Sequence, residues 1–246
     1  MDLTGKTALI TGAAKRLGAQ TAKTLHQNGV NIIIHYASSA QQAEQLAQQL
    51  NKIRPSSACT VQADLRHVDE IHHLAEQTAN CFNTLDILVN NASTFYPTPL
   101  GEISENNWDD LMGTNFKAGL FLAQACYPML KSSRGCIINM LDIHARSPLK
   151  DHTLYCCAKA ASVMLTRSLA LEMGPDVRVN GVAPGAILWP EDSSQHHEAE
   201  QQQILDEIPL KRTGQPADIA NTILFLTTSD YINGQIIPVD GGRQLC

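Results

Sequence analysis

Thr7-Ala8-Leu9-Ile10-Thr11-Gly12-Ala13-Ala14-Lys15-Arg16-Leu17-Gly18 passes from a short apolar run through a glycine into a helical pattern. The apolar run reads as a buried strand, and Leu17–Asn28 has helical spacing up to a stop at Gly29. The same alternation continues to the end of the chain. Thr7–Thr11, Asn31–Tyr36, Cys59–Ala63, Asp86–Asn90, Cys136–Leu141, Val177–Val182 and Ile236–Val239 read as strands. Helices are predicted at Leu17–Asn28, Ser39–Asn51, Val68–Phe82, Ser104–Leu130, Thr153–Met173 and Pro216–Thr228, with Gly174 as a further stop. Runs such as Ile32-Ile33-Ile34 and Ile87-Leu88-Val89 are apolar at every position, as strands covered on both faces are.

Strands joined by helices run parallel and are wound right-handed. The expected fold is therefore α/β, a Rossmann-type doubly wound sheet of seven parallel strands. The 246 residues correspond to about 1.6 average domains. With no repeat, linker or composition shift, residues 1–246 are read as one domain. Residues 186–215, polar over Glu191–Gln203, are expected to form a substrate-binding surface lid with its own helix.

The composition, 43% hydrophobic and 17% charged, excludes disordered and fibrous classes. The net charge of −6 without a basic run argues against nucleic acid, whose phosphates need a cationic footprint. No apolar stretch reaches the roughly 18 residues a membrane span needs, so a cytoplasmic protein with no membrane partner is expected. The seven cysteines are odd in number and lack Cys-x-x-Cys spacing, which suits thiols in a reducing compartment. His72-His73 and His196-His197 lack a third ligand at a familiar spacing, so no metal is expected.

A glycine turn between a strand and a helix is the context of a dinucleotide fingerprint. Gly12 allows the tight turn, Gly18 allows close helix packing, and the helix N-terminus can receive a pyrophosphate. Arg16 stands where a third glycine is usual. Together with Lys15 it either favours further negative charge nearby or is a solvated surface side chain. The second strand ends His35-Tyr36-Ala37-Ser38-Ser39, without the acid that would bond a free ribose 2′-hydroxyl, and this favours NADPH over NADH. Ser38 and Ser39 either donate to a 2′-phosphate or cap the next helix. Asp64, directly after the third strand, either accepts from an adenine amino group or caps a helix.

Tyr155 and Lys159 are four residues apart on a predicted helix, so they share a face about 5–6 Å apart. A neighbouring ammonium favours phenolate, which would bring the Tyr155 phenol down from about 10. Lys159 can also hold a nicotinamide ribose. Asp142 ends the fifth strand, so the three groups are expected to converge at the carboxyl edge of the sheet, where ligands bind in open α/β folds.

Thr11-Gly12…Gly18, Asp64, Asn90-Asn91-Ala92, Asn115, Tyr155…Lys159, Pro184-Gly185 and Asp240-Gly241-Gly242 occur in order. With them the sequence resembles the short-chain dehydrogenase/reductase family along nearly its whole length. Within the family it is most similar to the pteridine reductases, through Arg16, His35-Tyr36, the stretch from Asn91-Ala92-Ser93 through Phe95 to Leu100, and Asp142. Most relatives carry a serine at the last position. A serine donates to a substrate carbonyl, whereas a carboxylate accepts hydrogen bonds and repels a developing oxyanion. Ketone reduction is thereby disfavoured, and a pterin, with its N–H donors and C=N bonds, suits the site better.

The resemblance implies hydride transfer from NADPH to a C=N bond of a dihydropterin, with dihydrofolate as a further candidate. It implies catalysis by Asp142, Tyr155 and Lys159, and a pterin held by Arg16, Ser93, Phe95, Asp142 and Tyr155. Phe95 would stack on the pterin, its alternative being a place in the core. Cofactor contacts would come from Gly12, Lys15, Arg16, Leu17, His35, Tyr36, Ser38, Ser39, Asp64, Leu65, Asn91, Ala92, Asn115, Tyr155, Lys159, Pro184 and Gly185. A homotetramer formed through Ser104–Leu130 and Thr153–Met173 is implied as well. Two departures bear on specificity: Ser38 stands where many pteridine reductases have Arg, and Ala186 and Ile187 follow Pro184-Gly185 where a Ser is frequent. The alternatives are an NADPH-dependent carbonyl reductase acting on 3-oxoacyl or sugar substrates, and a non-catalytic NADPH-sensing protein. The intact Asn115, Tyr155 and Lys159 argue against the second.

Overall fold

The computed structural model describes residues 2–189 and 198–245. The expected lid histidines His196-His197 and the thiol of Cys246 lie outside the described residues. Seven strands, β1 (Thr7–Ile10), β2 (Asn31–Tyr36), β3 (Ala58–Gln62), β4 (Ile87–Asn90), β5 (Cys136–Met140), β6 (Arg178–Pro184) and β7 (Ile236–Val239), form one sheet. Its order is β3-β2-β1-β4-β5-β6-β7, and every pair is parallel. The helices are α1 (Arg16–Gln27), α2 (Ala40–Ile53), α3 (Val68–Phe82), α4 (Glu105–Met112), α5 (Ala118–Ser133), α6 (Thr153–Met173), α7 (Glu198–Glu207) and α8 (Pro216–Thr228).

The middles of the central strands, Ala8–Ile10, Ile32–Ile34 and Ile87–Val89, are apolar at consecutive positions because both faces are covered. Ala8, Ile10, Ile32, Ile34, Ile87 and Val89 point to one side and pack with Leu25, Leu46, Ile219 and Ile223 of α1, α2 and α8. The residues between them, Leu9, Ile33 and Leu88, point to the other and meet Ile71, Leu74, Leu122, Leu130 and Leu169 of α3, α5 and α6. Among the described residues no helix is long and apolar enough to cross a membrane.

The strand order reverses between β1 and β4, and a crevice opens at such a point outside the carboxyl ends. Two further features shape that edge. The single helix predicted over Ser104–Leu130 is two helices, α4 and α5, separated by a π-helical turn at Gly113–Lys117. The apolar spacing runs on through this turn, so the sequence pattern does not announce the extra residue. Ser104 lies just outside α4 and caps it, exchanging hydrogen bonds with Asn107. In the lid region, the Gly214 N–H donates to the Ala186 carbonyl at 2.9 Å, closing the base of the excursion that carries α7.

The β1–α1 turn depends on two glycines. Gly12 has φ +61°, and a Cβ at Gly18 would lie 2.6 Å from the Gly12 carbonyl oxygen and 2.8 Å from Ala13 Cα. Neither is the end of a flexible side chain. Gly18→Ala is therefore expected to destabilise the fold by about 1–3 kcal/mol, seen as a lower urea midpoint at unchanged slope.

Candidate active site

Two chain segments meet at the carboxyl edge beside the crevice. α6 presents Tyr155 and Lys159 from its first two turns, and β5 ends in Met140, followed by Leu141 and Asp142. The Tyr155 hydroxyl donates to Asp142 Oδ2 at 2.7 Å. The other oxygen, Oδ1, accepts the His144 N–H at 2.8 Å, which fixes the carboxylate at the start of a 3₁₀ turn. Lys159 Nζ donates to the Met140 carbonyl at 3.0 Å and lies 5.6 Å from the centre of the Tyr155 ring. The structure thus brings Asp142, Tyr155 and Lys159 together.

Their electrostatics correct one expectation. Burial raises the Tyr155 phenol well above 10, and the charge and accepted hydrogen bond of Asp142 raise it further. The sequence places Asp142 in the same cluster, but the expected shift takes account of the ammonium alone and not of burial or of the hydrogen bond to the carboxylate. Lys159, 2 % exposed, is itself pushed down to about 8 by burial, with Asp142 opposing the shift.

Asn115 sits in the π-helical turn. Its Nδ2 donates to the Thr94 and Leu111 carbonyls at 2.9 and 3.0 Å, and its Oδ1 accepts the Ser93 hydroxyl at 2.6 Å. Its carbonyl accepts the Ser162 hydroxyl of α6 at 2.9 Å. The turn therefore fastens the segment bearing Ser93 and Phe95 to α6, consistent with the habit of π-helical turns to occur at functional sites. Phe95 is 52 % exposed, which excludes the core alternative. Its ring stacks on His152 at 4.6 Å and 17°, and meets Tyr155 edge-on at 4.8 Å. His152 was not singled out in the sequence, because nothing in its spacing announces a partner 57 residues away (152 − 95).

A groove of about 540 Å³ runs along the glycine turn. It is lined by Gly12, Lys15, Arg16, Leu17, His35, Asp64, Leu65, Asn91, Ala92 and Ser93 among the expected residues. Arg16 holds φ +53°, a left-handed backbone that costs an ordinary residue of order 1–3 kcal/mol and clusters at functional positions. The Asn91 side chain donates to the Thr11 and Gly12 carbonyls at 2.7 and 3.2 Å, buttressing the turn. Tyr36, Ser38, Ser39, Asn115, Tyr155, Lys159, Pro184 and Gly185, expected at the cofactor, and Phe95 and Asp142, expected at the substrate, lie outside this lining. Pro184 ends β6 and the Gly185 N–H donates to Val239.

Two alternatives left open by the sequence are narrowed. Ser39 is the N-cap residue of α2, yet among the described residues it makes no side-chain cap bond. Asp64 does not occupy the N-cap of α3, where His67 stands. Its carboxylate is gripped by Arg66, with Nη2 at 2.6 Å, Nε at 3.0 Å and the backbone N–H at 3.0 Å, which holds it at about 2. Arg66 also reaches Asp110 at 3.5 Å and lines the groove, a role the sequence reading missed.

The groove fits a dinucleotide. Backbone approaches closely at Gly12 and Gly18, α1 opens at Lys15 without a side-chain cap among the described residues, and Lys15 and Arg16 are exposed beside it. Elsewhere, Cys156 is buried and Cys157 exposed, while the Cys59 and Cys81 sulphurs approach to 2.7 Å. His72 and His73 lie exposed on α3.

This fold and site define an oxidoreductase built on a dinucleotide-binding sheet. Residues 12–244 match the family model described as "Enoyl-(Acyl carrier protein) reductase". The chain belongs to the short-chain dehydrogenase/reductase family. It is 36% identical to pteridine reductase 1 of Leishmania tarentolae, over 98% of this chain and 97% of that protein. It is 35% identical to the 3-oxoacyl-[acyl-carrier-protein] reductase FabG of Staphylococcus aureus strain N315, over 98% of each. It is 33% identical to the short chain dehydrogenase mdpC of Emericella nidulans, over 98% and 96%. Proteins of this family use NAD(P)H.

The buried ammonium has a measurable consequence. The gap between about 8 and the ordinary 10.5 corresponds to about 3 kcal/mol. Because the folded value is the lower one, the unfolded chain binds the extra proton between them, and stability rises with pH across that interval. Lys159→Met removes the buried charge but leaves the Met140 carbonyl unpaired, at about 1 kcal/mol. It is expected to be about 2 kcal/mol more stable than wild type near neutral pH and to lose this alkaline rise. Urea titrations of both proteins at neutral and alkaline pH check it.

Proposed function

We propose that the protein is an NADPH-dependent pteridine reductase that converts dihydropterins, and dihydrofolate as a member of the same class, to tetrahydropterins. The observation that carries this reading is the 2.7 Å hydrogen bond from Tyr155 to the Asp142 carboxylate. Overall similarity does not choose between the pteridine and 3-oxoacyl reductases, at 36% and 35% identity. The residue beside the catalytic tyrosine favours the first, because a donor there would serve a substrate carbonyl and Asp142 is an acceptor. The exposed ring of Phe95, which already stacks on a flat heteroaromatic side chain, supports a flat substrate.

For the cofactor, the turn from Gly12 to Leu17 would hold the pyrophosphate, and Asp64, Leu65, Asn91 and Ala92 the adenosine side. The absence of an acid at the end of β2, with Ser38 and Ser39 directly after it and Lys15 lining the groove, supports a 2′-phosphate. When bound, NADPH supplies the hydride. Arg16 and Ser93, which line the groove, would contact the substrate, and Lys159 would hold the nicotinamide ribose. Asp142 accepts hydrogen bonds from the pterin amino and ring N–H groups. Tyr155 holds at its hydroxyl the proton destined for the nitrogen next to the reduced carbon, and its raised pKa keeps it protonated throughout the neutral range. Loss of that proton leaves a phenolate against a carboxylate, a like-charge pair that the Lys159 ammonium offsets. Turnover is accordingly expected to fall as pH rises through about 8, where that ammonium is lost.

We also infer a homotetramer. Trp108 on α4 and Met164 and Leu171 on α6 are large apolar side chains left exposed, the last by 84 %. Light scattering in solution checks the assembly.

The functional reading is tested by following NADPH and NADH oxidation with 7,8-dihydrobiopterin, dihydromonapterin, dihydrofolate and an acetoacetyl thioester. The expected result is pterin turnover with NADPH, reduced about 100-fold or more in Tyr155→Phe and Asp142→Ser. Thioester turnover without pterin turnover, or an Asp142→Ser variant as active on pterins as wild type, would assign a carbonyl reductase instead. Cofactor binding without turnover of any substrate would make it a sensing protein.

A further inference from the structure

We propose that His35 is a positioning residue, a neutral imidazole strut held in one tautomer that fixes the glycine turn against the segment after β3 and thereby sets dinucleotide affinity. The proposal rests on the cofactor reading above but goes beyond it, since it assigns to His35 a role that a direct ligand contact does not describe. His35 is the penultimate residue of β2 and only 2 % exposed. Its Nδ1 lies 3.1 Å from the Gly12 N–H, and its Nε2 lies 3.0 Å from the Ala63 carbonyl oxygen. Its own carbonyl accepts the Ala13 N–H at 2.9 Å.

The partners dictate the protonation state. A backbone N–H can only donate and a carbonyl can only accept. The ring must therefore accept at Nδ1 and donate at Nε2, which only the neutral Nε2–H tautomer does. A protonated ring would direct N–H against N–H at Gly12. Burial acts in the same sense, pushing the imidazole down to about 4. The other buried histidine provides a contrast. His26 contacts Ser57 through Nε2 at 2.7 Å, and its Nδ1 has no partner among the described residues.

The strut joins two walls of one groove. Gly12 is a left-handed residue at the start of the turn, and Ala63 immediately precedes Asp64 and Leu65, which line the same groove. Asn91 holds the same turn from the β4 side through the Thr11 and Gly12 carbonyls. The turn is thus clamped from both neighbouring strands before any ligand arrives, which lowers the ordering cost of binding. A second consequence concerns the anion. Because the Gly12 N–H is engaged by His35, the N–H groups left for a pyrophosphate are those further along, where α1 begins.

The test compares His35→Leu, which removes both hydrogen bonds, with His35→Gln, whose amide can accept and donate. Binding of NADPH and NADH is measured by fluorescence and calorimetry, and turnover is measured at saturating cofactor. In His35→Leu the Kd is expected to rise about 10- to 100-fold, the loss associated with two backbone hydrogen bonds, while kcat stays within about twofold. His35→Gln should recover most of the affinity. Nitrogen-15 NMR of wild-type His35 should show a protonated Nε2 and a bare Nδ1 at neutral pH, a readout that needs neither cofactor nor variant should His35→Leu fail to fold. Unchanged affinity in a folded His35→Leu, a parallel loss of kcat, or the Nδ1–H tautomer would overturn the strut. Failure of the wild type to bind either nucleotide would overturn the cofactor reading and the strut's role with it. Normal wild-type binding with any of the preceding results would overturn the strut alone.

Discussion

Two hydrogen bonds fasten the first turns of α6 to the end of β5, one from Tyr155 to Asp142 and one from Lys159 to the Met140 carbonyl. The candidate catalytic groups Asp142, Tyr155 and Lys159 all belong to this seam. It tolerates a buried ammonium by giving it a carbonyl, and it keeps a proton on a phenol by giving it a carboxylate. The parallel sheet makes the seam possible, because all strands deliver their carboxyl ends to one edge. The π-helical turn at Gly113–Lys117 adds a third fastening through Asn115 and Ser162. A helix, a strand and a loop from distant parts of the sequence are thereby locked into one geometry.

The strands could be read from the sequence because apolar triplets such as Ile32–Ile34 have no polar alternative to obey. Each predicted strand is present within two residues of its expected ends. The helix over Ser104–Leu130 was misread because a one-residue π insertion leaves apolar spacing almost intact, whereas its structural effect is to aim Asn115. At the site, Asp142, Tyr155 and Lys159 were legible because their positions relative to strand and helix ends fix where they go. Arg66, His152 and the Cys59–Cys81 approach were not, since each depends on which side chain arrives opposite, and that is a property of packing rather than of local pattern. The direction of the Tyr155 shift belongs to the same class.

Local conflicts with ordinary folding rules gather along one side of the molecule. Arg16 takes a backbone region suited to glycine, Lys159 is charged and buried, and Tyr155 shares its proton with an acid. None of these choices improves packing, and a sequence optimised for stability alone would avoid all three. Their concentration at one sheet edge is a physical marker of a site that works on something, independent of any family resemblance. Relatives of nearly equal identity, a pteridine reductase and a 3-oxoacyl reductase, bracket the chain. Overall similarity therefore does not choose between their chemistries for this chain, and the choice falls to the side chains at the site.

The hydrogen bond between Gly214 and Ala186 has an evolutionary implication. It joins the departure and return points of the chain after β6, and beyond it the described part of the excursion meets the segment after β7, where the Leu210 N–H donates to the Gly241 carbonyl and Glu207 pairs with Arg243. Lengthening or rewriting a loop whose ends are already tied costs little, since closure entropy grows only slowly with length. Changes of length between those two tied points can accordingly accumulate while the strand order of the sheet is kept.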